Sequence, residues 1–239
     1  MLASFPPGGL TLVIGSTGGI GSALLAQLQT HTAFAHIVAL SRTSELALDL
    51  QDESSIAQAA QHVAALSLEL GLELRLVIDA TGTLSGNGHA PEKSWRQLDA
   101  AQMAHAFAVN AIGPALLMKH FLPLLPKQGK AVFATLSAKV GSIGDNRLGG
   151  WYSYRASKAA LNQLVHTAAI ELRRSQPDAI CVALHPGTVA TGLSAPFAKT
   201  GLDVQSPADA AGRLLSVVDG LTAADSGGFF NHDGSALPW

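Results

Sequence analysis

Tyr154 and Lys158 are the two residues whose type and spacing most directly suggest chemistry. A free tyrosine, with a pKa of about 10, exchanges protons poorly near neutral pH, but a neighbouring cation favours tyrosinate and lowers that pKa. Residues at i and i+4 share a helix face, so the Lys158 ammonium can lie alongside the Tyr154 hydroxyl. Tyr152, the other tyrosine, is six residues from Lys158, a separation that puts the two side chains on different faces of a helix. The pair therefore predicts a general acid/base, with an ordinary exposed helix pair as the alternative.

A glycine-rich loop joins the first predicted strand to the first predicted helix. It follows the apolar run 10–14 and contains Gly15, Ser16, Thr17, Gly19, Ile20 and Gly21. Glycines permit a tight turn, close approach of the backbone to a pyrophosphate, and close packing of the helix on the strand. The N-terminus of that helix offers N–H groups and a positive dipole end to the anion. The position of the loop favours a dinucleotide site over an ordinary tight turn.

Short apolar runs alternate with longer helical stretches along the chain. Patterns typical of strands cover 10–14, 36–41, 75–80, 130–137, 180–187 and 227–234, and a short link after the second leads to 46–50. Patterns typical of helices cover 22–29, 54–70, 99–120, 153–174 and 207–218, and Pro114 should kink the third helix. The alternation predicts an α/β fold. It is a single-domain Rossmann-type, doubly wound parallel sheet in three layers, spanning residues 1–239.

The composition excludes several classes of protein. The chain is 48% hydrophobic and 13% charged, so it can bury a large core. A net charge of −2 without runs of like charge argues against nucleic acid and anionic membranes as partners. The nine histidines are scattered singly, so no metal site is expected.

The predicted location is cytoplasmic. The single Cys181 excludes an internal disulfide and fits a reducing compartment. The first residues lack the basic start of a signal sequence. Lys119, His120 and Pro123 interrupt the apolar stretch 116–125, so no transmembrane span is expected there.

Five motifs, in the same order along the chain, resemble those of the classical short-chain dehydrogenase/reductase family. They are the Gly-x-x-x-Gly-x-Gly loop, Asp79–Gly82, Asn110 in the sequence AVNAIGP, Tyr154-x-x-x-Lys158, and the Pro186-Gly187 segment running to Thr191. The segment 141–162 and the ending 227–239 look most like the subgroup that includes carbonyl reductases and C-factor signalling proteins. The resemblance implies Asn110, Ser137, Tyr154 and Lys158 as catalytic residues.

Asn110 is a polar residue in an otherwise apolar helical segment, and such a group needs hydrogen-bond partners when it is buried. The resemblance implies that it holds a water linking Lys158 to solvent in a proton relay. A purely structural asparagine is the alternative.

The serine position departs from the family pattern. Relatives usually carry Ser-Ser at the end of this strand, and the second serine polarises the substrate oxygen. Here Ser137 matches the first serine, while Ala138 occupies the second position. Ser137 is the expected donor to the substrate oxygen and Ser142 the next candidate. A strand-end serine that satisfies its own backbone is the alternative.

The residues after the second strand favour NADP(H), with NAD(H) possible. NAD-specific sites usually place an acid here to bind the ribose hydroxyls, whereas this chain has Ser41 and Arg42. Arg42 could pair with a 2′-phosphate and Ser41 could donate to it; an exposed arginine without a ligand role is the alternative. The resemblance extends the cofactor site to Asp49 and Leu50 beside the adenine, and to Ala80, Thr81, Gly82, Asn110, Tyr154, Lys158, Pro186, Gly187, Val189 and Thr191.

The expected function is hydride transfer between NADP(H) and a carbonyl or secondary alcohol, with Tyr154 as general acid/base. The alternative is a nucleotide-binding signalling or regulatory protein of the C-factor type with weak or no turnover. The expected partner is a small molecule, for which Leu193 and Phe197 are candidate lid contacts. The resemblance also implies a homodimer or homotetramer.

Overall fold

The computed structural model describes residues 2–85, 90–192 and 204–239; Leu193 and Phe197, the expected lid contacts, lie outside these ranges. The main strands are β1 (Gly9–Ile14), β2 (Phe34–Leu40), β3 (Leu74–Asp79), β4 (Ala131–Leu136) and β5 (Ala179–His185). The pair β6 (Thr188–Val189) and β7 (Val204–Gln205) follows, and β8 (Phe229–Asn231) is the last strand. Within the described residues, the central sheet has the order β2-β1-β3-β4-β5-β8, and every pair of neighbouring strands is parallel.

Helices cover both faces of the sheet. They are α1 (Gly19–Leu28), α2 (Glu53–Leu70), α3 (Ala100–Phe107), α4 (Gly113–Phe121), α5 (Tyr152–Ser175) and α6 (Pro207–Gly220). One hydrophobic core lies under α2, α4 and α5 and includes Ile56, Phe121 and Leu161. The other lies under α1 and α6 and includes Leu24 and Leu214. The three-layer, doubly wound α/β fold is therefore confirmed.

The strands are largely apolar because helices cover both of their faces; all six residues of β1, β3 and β4 are buried. The predicted bounds differ from the observed ones most at α1, which begins at Gly19, three residues before the expected start, and at β8, where the expected strand 227–234 shortens to Phe229–Asn231. Within the part of the chain that the structure describes, the segment 46–50 adds no strand to the sheet, and its Ala47 forms an isolated bridge with Ser41, the residue after β2.

The strand order places a topological switch point between β1 and β3. From β1 the chain first passes to β2 on one side and then crosses to β3 on the other. In open parallel sheets the loops diverge at such a point, and the crevice at the carboxyl ends of the strands binds ligands. Gly15 follows β1 and Ala80 follows β3, so the glycine loop opens into this crevice.

The helical stretch Ala100–Leu124 contains a π-helical turn at Ala108–Ile112, between α3 and α4. The turn precedes Pro114, the residue that should distort the helix, because proline cannot donate to the carbonyl four residues earlier. By length and composition alone this stretch could cross a membrane. A core helix passes the same test, and here α3 and the π-helical turn pack on α5 while α4 packs on α2.

Candidate active site

The glycine loop folds as its spacing predicts. Gly15 has φ +79°, and its carbonyl oxygen accepts the N–H of Gly18 at 3.0 Å. A Cβ on Gly21 would collide with the Gly15 carbonyl, and one on Gly19 would lie 2.7 Å from Cγ2 of Thr191. Side chains are thus excluded where α1 meets β1 and where the segment after β5 meets the loop.

The N-terminus of α1 offers its N–H groups to an anion. Gly18 is the N-cap residue, so no side chain caps the helix, and the first turn contains no acidic residue. The first N–H groups of a helix have no intrahelical partner and attract negative charge. Ser16, Thr17 and Ile20 lie in the same loop and first turn. This cradle fits the pyrophosphate of a dinucleotide.

The segment after β2 places Ser41 and Arg42 at the edge of the same crevice. Ser41 is buried, and its Oγ accepts the N–H of Thr43 at 3.2 Å, while Arg42 is exposed. Asp49 lies further along, where its Oδ1 accepts the N–H of Gln51 at 2.9 Å. Leu50 is buried and packs closely on Gly113: a Cβ added to Gly113 would lie 2.6 Å from the Cβ of Leu50.

Asp79, at the end of β3, joins two strands through its buried carboxylate. Its oxygens accept from Thr81 Oγ1 at 2.5 Å, the Thr81 N–H at 3.0 Å and Thr135 Oγ1 at 2.6 Å. Burial raises the pKa of Asp79, although these hydrogen bonds and the charge of Lys158 oppose the shift. Ala80 is held by its N–H, which donates to the Ile14 carbonyl at 2.9 Å. The backbone leading into Gly82 is therefore fixed.

Asn110 is fully buried in the π-helical turn and binds two other elements. Its Oδ1 accepts the Thr83 N–H at 2.8 Å, and its Nδ2 donates to the Thr83 carbonyl at 2.8 Å and to Ser157 Oγ at 3.1 Å. The side-chain amide thus ties the segment after β3 to α5. These bonds hold the side chain in place, and its part in a water-mediated proton relay stays a prediction.

Lys158 is buried on the same side of the sheet as Asn110. Its Nζ donates to the Leu136 carbonyl at 2.8 Å. Burial lowers the pKa of Lys158 to about 8, although the charge of Asp79 opposes the shift. A Cβ on Gly82 would lie 3.5 Å from both Nζ of Lys158 and Oδ1 of Asn110, so both side chains converge on this glycine.

Tyr154 lies one helical turn before Lys158 on α5, and its ring makes an edge contact with Trp151 at 6.2 Å. Burial raises the pKa of Tyr154 to about 12. The expected lowering by Lys158 is therefore wrong for this structure, because burial dominates and the ammonium donates to a carbonyl of β4. Tyr154 lines a cavity of about 210 Å³, together with residues that include Thr83, Ser85, Glu92, Gln102, His105 and Ser153.

Both candidate serines are buried and already hydrogen-bonded. Ser137 Oγ donates to Asn162 Oδ1 at 2.6 Å, and Ser142 Oγ donates to the Trp239 carbonyl at 3.3 Å. Ala138, at the position of the usual family serine, is also buried. The donor role of Ser137 or Ser142 therefore stays a prediction.

The segment after β5 turns back toward the glycine loop. Gly187 has φ +79°, and Gln205 Nε2 donates to the Pro186 carbonyl at 3.3 Å. Val189 in β6 is buried, and Thr191 lies against Gly19 as described. The cofactor residues expected from the sequence thus follow the carboxyl ends of β1, β2, β3 and β5 in loops, helix starts or the short strand β6, or they lie on α5 and the π-helical turn.

Several residues around the site had no sequence prediction. Ser157 binds Asn110, Thr135 binds Asp79, Asn162 binds Ser137, and Glu92 binds Ser153. Ser157 is adjacent to Lys158, and its place inside the Tyr-x-x-x-Lys motif was a signal that could have identified it. The other contacts join distant parts of the chain, which local spacing does not reveal.

Comparisons with known proteins agree with this geometry. The model of the short chain dehydrogenase family matches residues 10–201. The 1-hydroxy-2-glutathionyl-2-methyl-3-butene dehydrogenase of Rhodococcus sp. (strain AD45) is 30% identical over 241 residues, which cover 95% of this chain and 98% of that protein. The C-signal protein of Myxococcus xanthus is 38% identical over 144 residues, covering 59% of this chain and 81% of that protein.

A solved structure extends the likeness to the whole fold. The NADPH-bound carbonyl reductase from chicken fatty liver has a TM-score of 0.84 and 27% identity, covering 98% of this chain and all (100%) of that one. The family match, the whole-length relative and the ordered motifs at one edge of the sheet lead to the same conclusion. This chain belongs to the short-chain dehydrogenase family of oxidoreductases.

Proposed function

We propose that this protein is an NADPH-dependent carbonyl reductase, in which residues 1–239 act as a single catalytic domain. It transfers a hydride between NADP(H) and a carbonyl or secondary alcohol, with Tyr154 as general acid/base. The observation that carries the proposal is that the side chains of Asn110 and Lys158 converge on Gly82, at the edge of the sheet where ligands bind. Lys158 lies one helical turn after Tyr154 on α5. The likeness to a carbonyl reductase that binds NADPH supports it.

The chain offers a binding group for each part of the cofactor. The backbone of the glycine loop and the start of α1 hold the pyrophosphate, and Ser41 with Arg42 holds the 2′-phosphate. The segment from Pro186 to Thr191 lies against the loop at Gly19 and holds the nicotinamide end. When bound, the cofactor supplies the hydride.

Tyr154 supplies the proton that carbonyl reduction requires. With its pKa raised to about 12, the Tyr154 hydroxyl keeps its proton at neutral pH and can donate it to the substrate oxygen. Lys158, whose pKa is about 8, remains charged near pH 7, and its hydrogen bond to the Leu136 carbonyl ties α5 to β4 one helical turn from Tyr154. Asn110 holds the segment after β3 and α5 together, so that these groups keep their places. The relay of the proton from solvent through a water near Asn110 is part of the proposal.

The substrate lies in the cavity beside Tyr154. Its volume of about 210 Å³ suits a small carbonyl compound, and its described lining mixes apolar residues such as Leu84 and Pro91 with polar ones such as Ser85 and Gln102. The second donor to the substrate oxygen is assigned to Ser137, with Ser142 as the competing candidate.

A regulatory role with weak turnover is the second candidate function. Two observations favour it, the alanine at position 138 and the 38% identity to C-signal of Myxococcus xanthus. The buried Lys158 and Asn110 oppose it, because a protein that only binds a nucleotide does not need them.

Cofactor consumption with a panel of aldehydes, ketones and quinones tests the proposal. We expect NADPH oxidation with at least one of these classes, and slower oxidation of NADH at the same concentration. Tight NADPH binding without oxidation by any member of the panel would contradict the reductase proposal and favour the regulatory candidate.

Assembly as a homodimer or homotetramer is a further part of the proposal. Ile112 in the π-helical turn is 53% exposed, and Leu164 and Ile170 on α5 are 36% and 49% exposed. Exposed apolar residues on helices suit an interface between subunits. Light scattering of the purified protein should give two or four chains per particle, and a monomer would contradict this part.

A further inference from the structure

Glu92 is a buried carboxylate beside Tyr154 that belongs to none of the family motifs. It is 2% exposed and lines the same cavity as Tyr154. One carboxylate oxygen accepts the N–H of Ser153 at 3.2 Å, and the other accepts the Ser153 hydroxyl. The main-chain carbonyl of Glu92 accepts the N–H of Trp151 at 2.5 Å. Glu92 therefore holds the chain at Trp151 and at Ser153, the residue directly before Tyr154.

The start of α5 needs such a partner from elsewhere in the chain. The residue before the helix is Trp151, whose indole has no oxygen with which to accept the first-turn N–H groups. The first turn contains no acidic residue. Trp151 also has φ +54°, a left-handed conformation that a bulky residue adopts only where its surroundings hold it. Glu92 supplies both the acceptor and the anchor.

Electrostatics explains why a carboxylate occupies this buried position. Within the ranges 2–85, 90–192 and 204–239, none of the ion pairs involves Glu92. A buried charge without a partner is costly, and the positive end of a helix dipole with its free N–H groups compensates it. The N-terminus of α5 and the Ser153 hydroxyl provide that compensation here.

We infer that Glu92 is a positioning residue, which caps α5 from a distance and so fixes the place of Tyr154 in the cavity. Ser153, the residue that it binds, is covalently adjacent to Tyr154. Loss of the cap loosens the first turn of α5 and with it the catalytic hydroxyl. The catalytic part of this inference rests on the proposed function, whereas the capping part does not.

Hydrogen exchange tests the cap without any assumption about activity. In Glu92→Ala, amides of residues 151–158 should exchange about fivefold faster than in wild type, the factor that corresponds to the ~1 kcal/mol of a lost helix cap. Glu92→Gln, which keeps an acceptor for the Ser153 N–H, should restore most of the protection. The matched control is Asp52→Ala, which removes the cap that accepts the Ser54 N–H at 2.9 Å on α2, a helix without site residues. It should leave the exchange of α5 unchanged.

Steady-state kinetics tests the positioning. Glu92→Ala should lower kcat by at least about tenfold with little change in NADPH affinity, because small misplacements of a catalytic group are expensive. Glu92→Gln should stay within about threefold of wild type, and Asp52→Ala should match wild type. If Glu92→Ala fails to fold, Ser153→Ala is the second variant. It removes the hydroxyl that donates to the Glu92 carboxylate, and it should also lower kcat.

Three results would overturn the inference: unchanged exchange in Glu92→Ala, faster exchange with unchanged kcat, or an equal loss of kcat in Asp52→Ala. A wild-type protein without reductase activity would contradict the proposed function instead, and the exchange data would still decide the cap.

Discussion

The hydroxyl of Ser137 donates to Oδ1 of Asn162 at 2.6 Å, across the interface between β4 and α5. In this structure the Ser137 hydroxyl therefore donates its proton to Asn162 on α5 and does not offer it to the cavity beside Tyr154. To polarise a substrate oxygen, the hydroxyl has to exchange that partner. If it does so, Ser137→Ala should lower kcat by about 10²-fold, as for the loss of one oxyanion donor, with little change in NADPH affinity.

Ser142→Ala is the matched variant, since Ser142 is the other buried serine near the end of β4. If Ser137 is the donor, Ser142→Ala should leave kcat nearly unchanged. If Ser142 is the donor, Ser142→Ala should lower kcat by the same factor and Ser137→Ala should leave it nearly unchanged. Full activity in both single variants and in the double variant would show that the second donor is not a serine hydroxyl.

Arg42 should decide between the two nicotinamide cofactors. Only NADPH has a 2′-phosphate, and a charge-assisted contact is worth roughly 1.5–3 kcal/mol, or one to two decades in affinity. Arg42→Ala should therefore weaken NADPH by this factor and leave NADH almost unchanged in a direct binding titration. Ser41→Asp should shift the preference toward NADH. An equal loss for both cofactors in Arg42→Ala would show that the arginine is structural.

Lys158 should impose a pH dependence on folding stability. Its folded pKa of about 8 lies below the ordinary value of 10.5, so between these values the unfolded chain binds more protons. Taken alone, this shift makes the free energy of unfolding rise with pH across the window, whereas the raised pKa values of Cys181 and Tyr154 act in the opposite sense in wild type and in a Lys158 variant alike. Relative to Lys158→Met, which lacks the ammonium, the rise should approach about 1.4 kcal/mol per pH unit.

Urea unfolding of both proteins at about pH 7.5 and about pH 9.5 measures this difference. Ionisation of tyrosines and of Cys181 is common to both proteins, so it cancels in the difference between them. A difference between wild type and Lys158→Met that stays constant, or that falls with pH, would contradict the lowered pKa.

The parts of the site that the sequence predicted are those encoded by local spacing. The glycine loop is read from glycines a few residues apart, and Tyr154 and Lys158 from their separation on one helix. The apolar runs predicted the strands because both faces of the sheet are buried. Where a site residue depends on local geometry alone, the sequence is sufficient.

The contacts that the sequence could not predict join distant segments. Glu92 and Ser153 are separated by 61 positions, and Asn110 and Ser157 by 47. The pKa of Tyr154 was expected to fall because Lys158 shares its helix face. The fold instead directs the lysine to the Leu136 carbonyl and leaves the phenol half-buried, and neither fact is visible in the i, i+4 spacing.

The rate of NADPH oxidation by Tyr154→Phe, at saturating cofactor and with the best carbonyl acceptor, tests the central claim most directly. Tyr152→Phe is the matched control, because it removes the same hydroxyl two residues earlier on α5. We predict that Tyr154→Phe loses at least about 10²-fold in kcat while it still binds NADPH, and that Tyr152→Phe keeps wild-type turnover. Wild-type turnover in Tyr154→Phe would contradict the assignment of the acid.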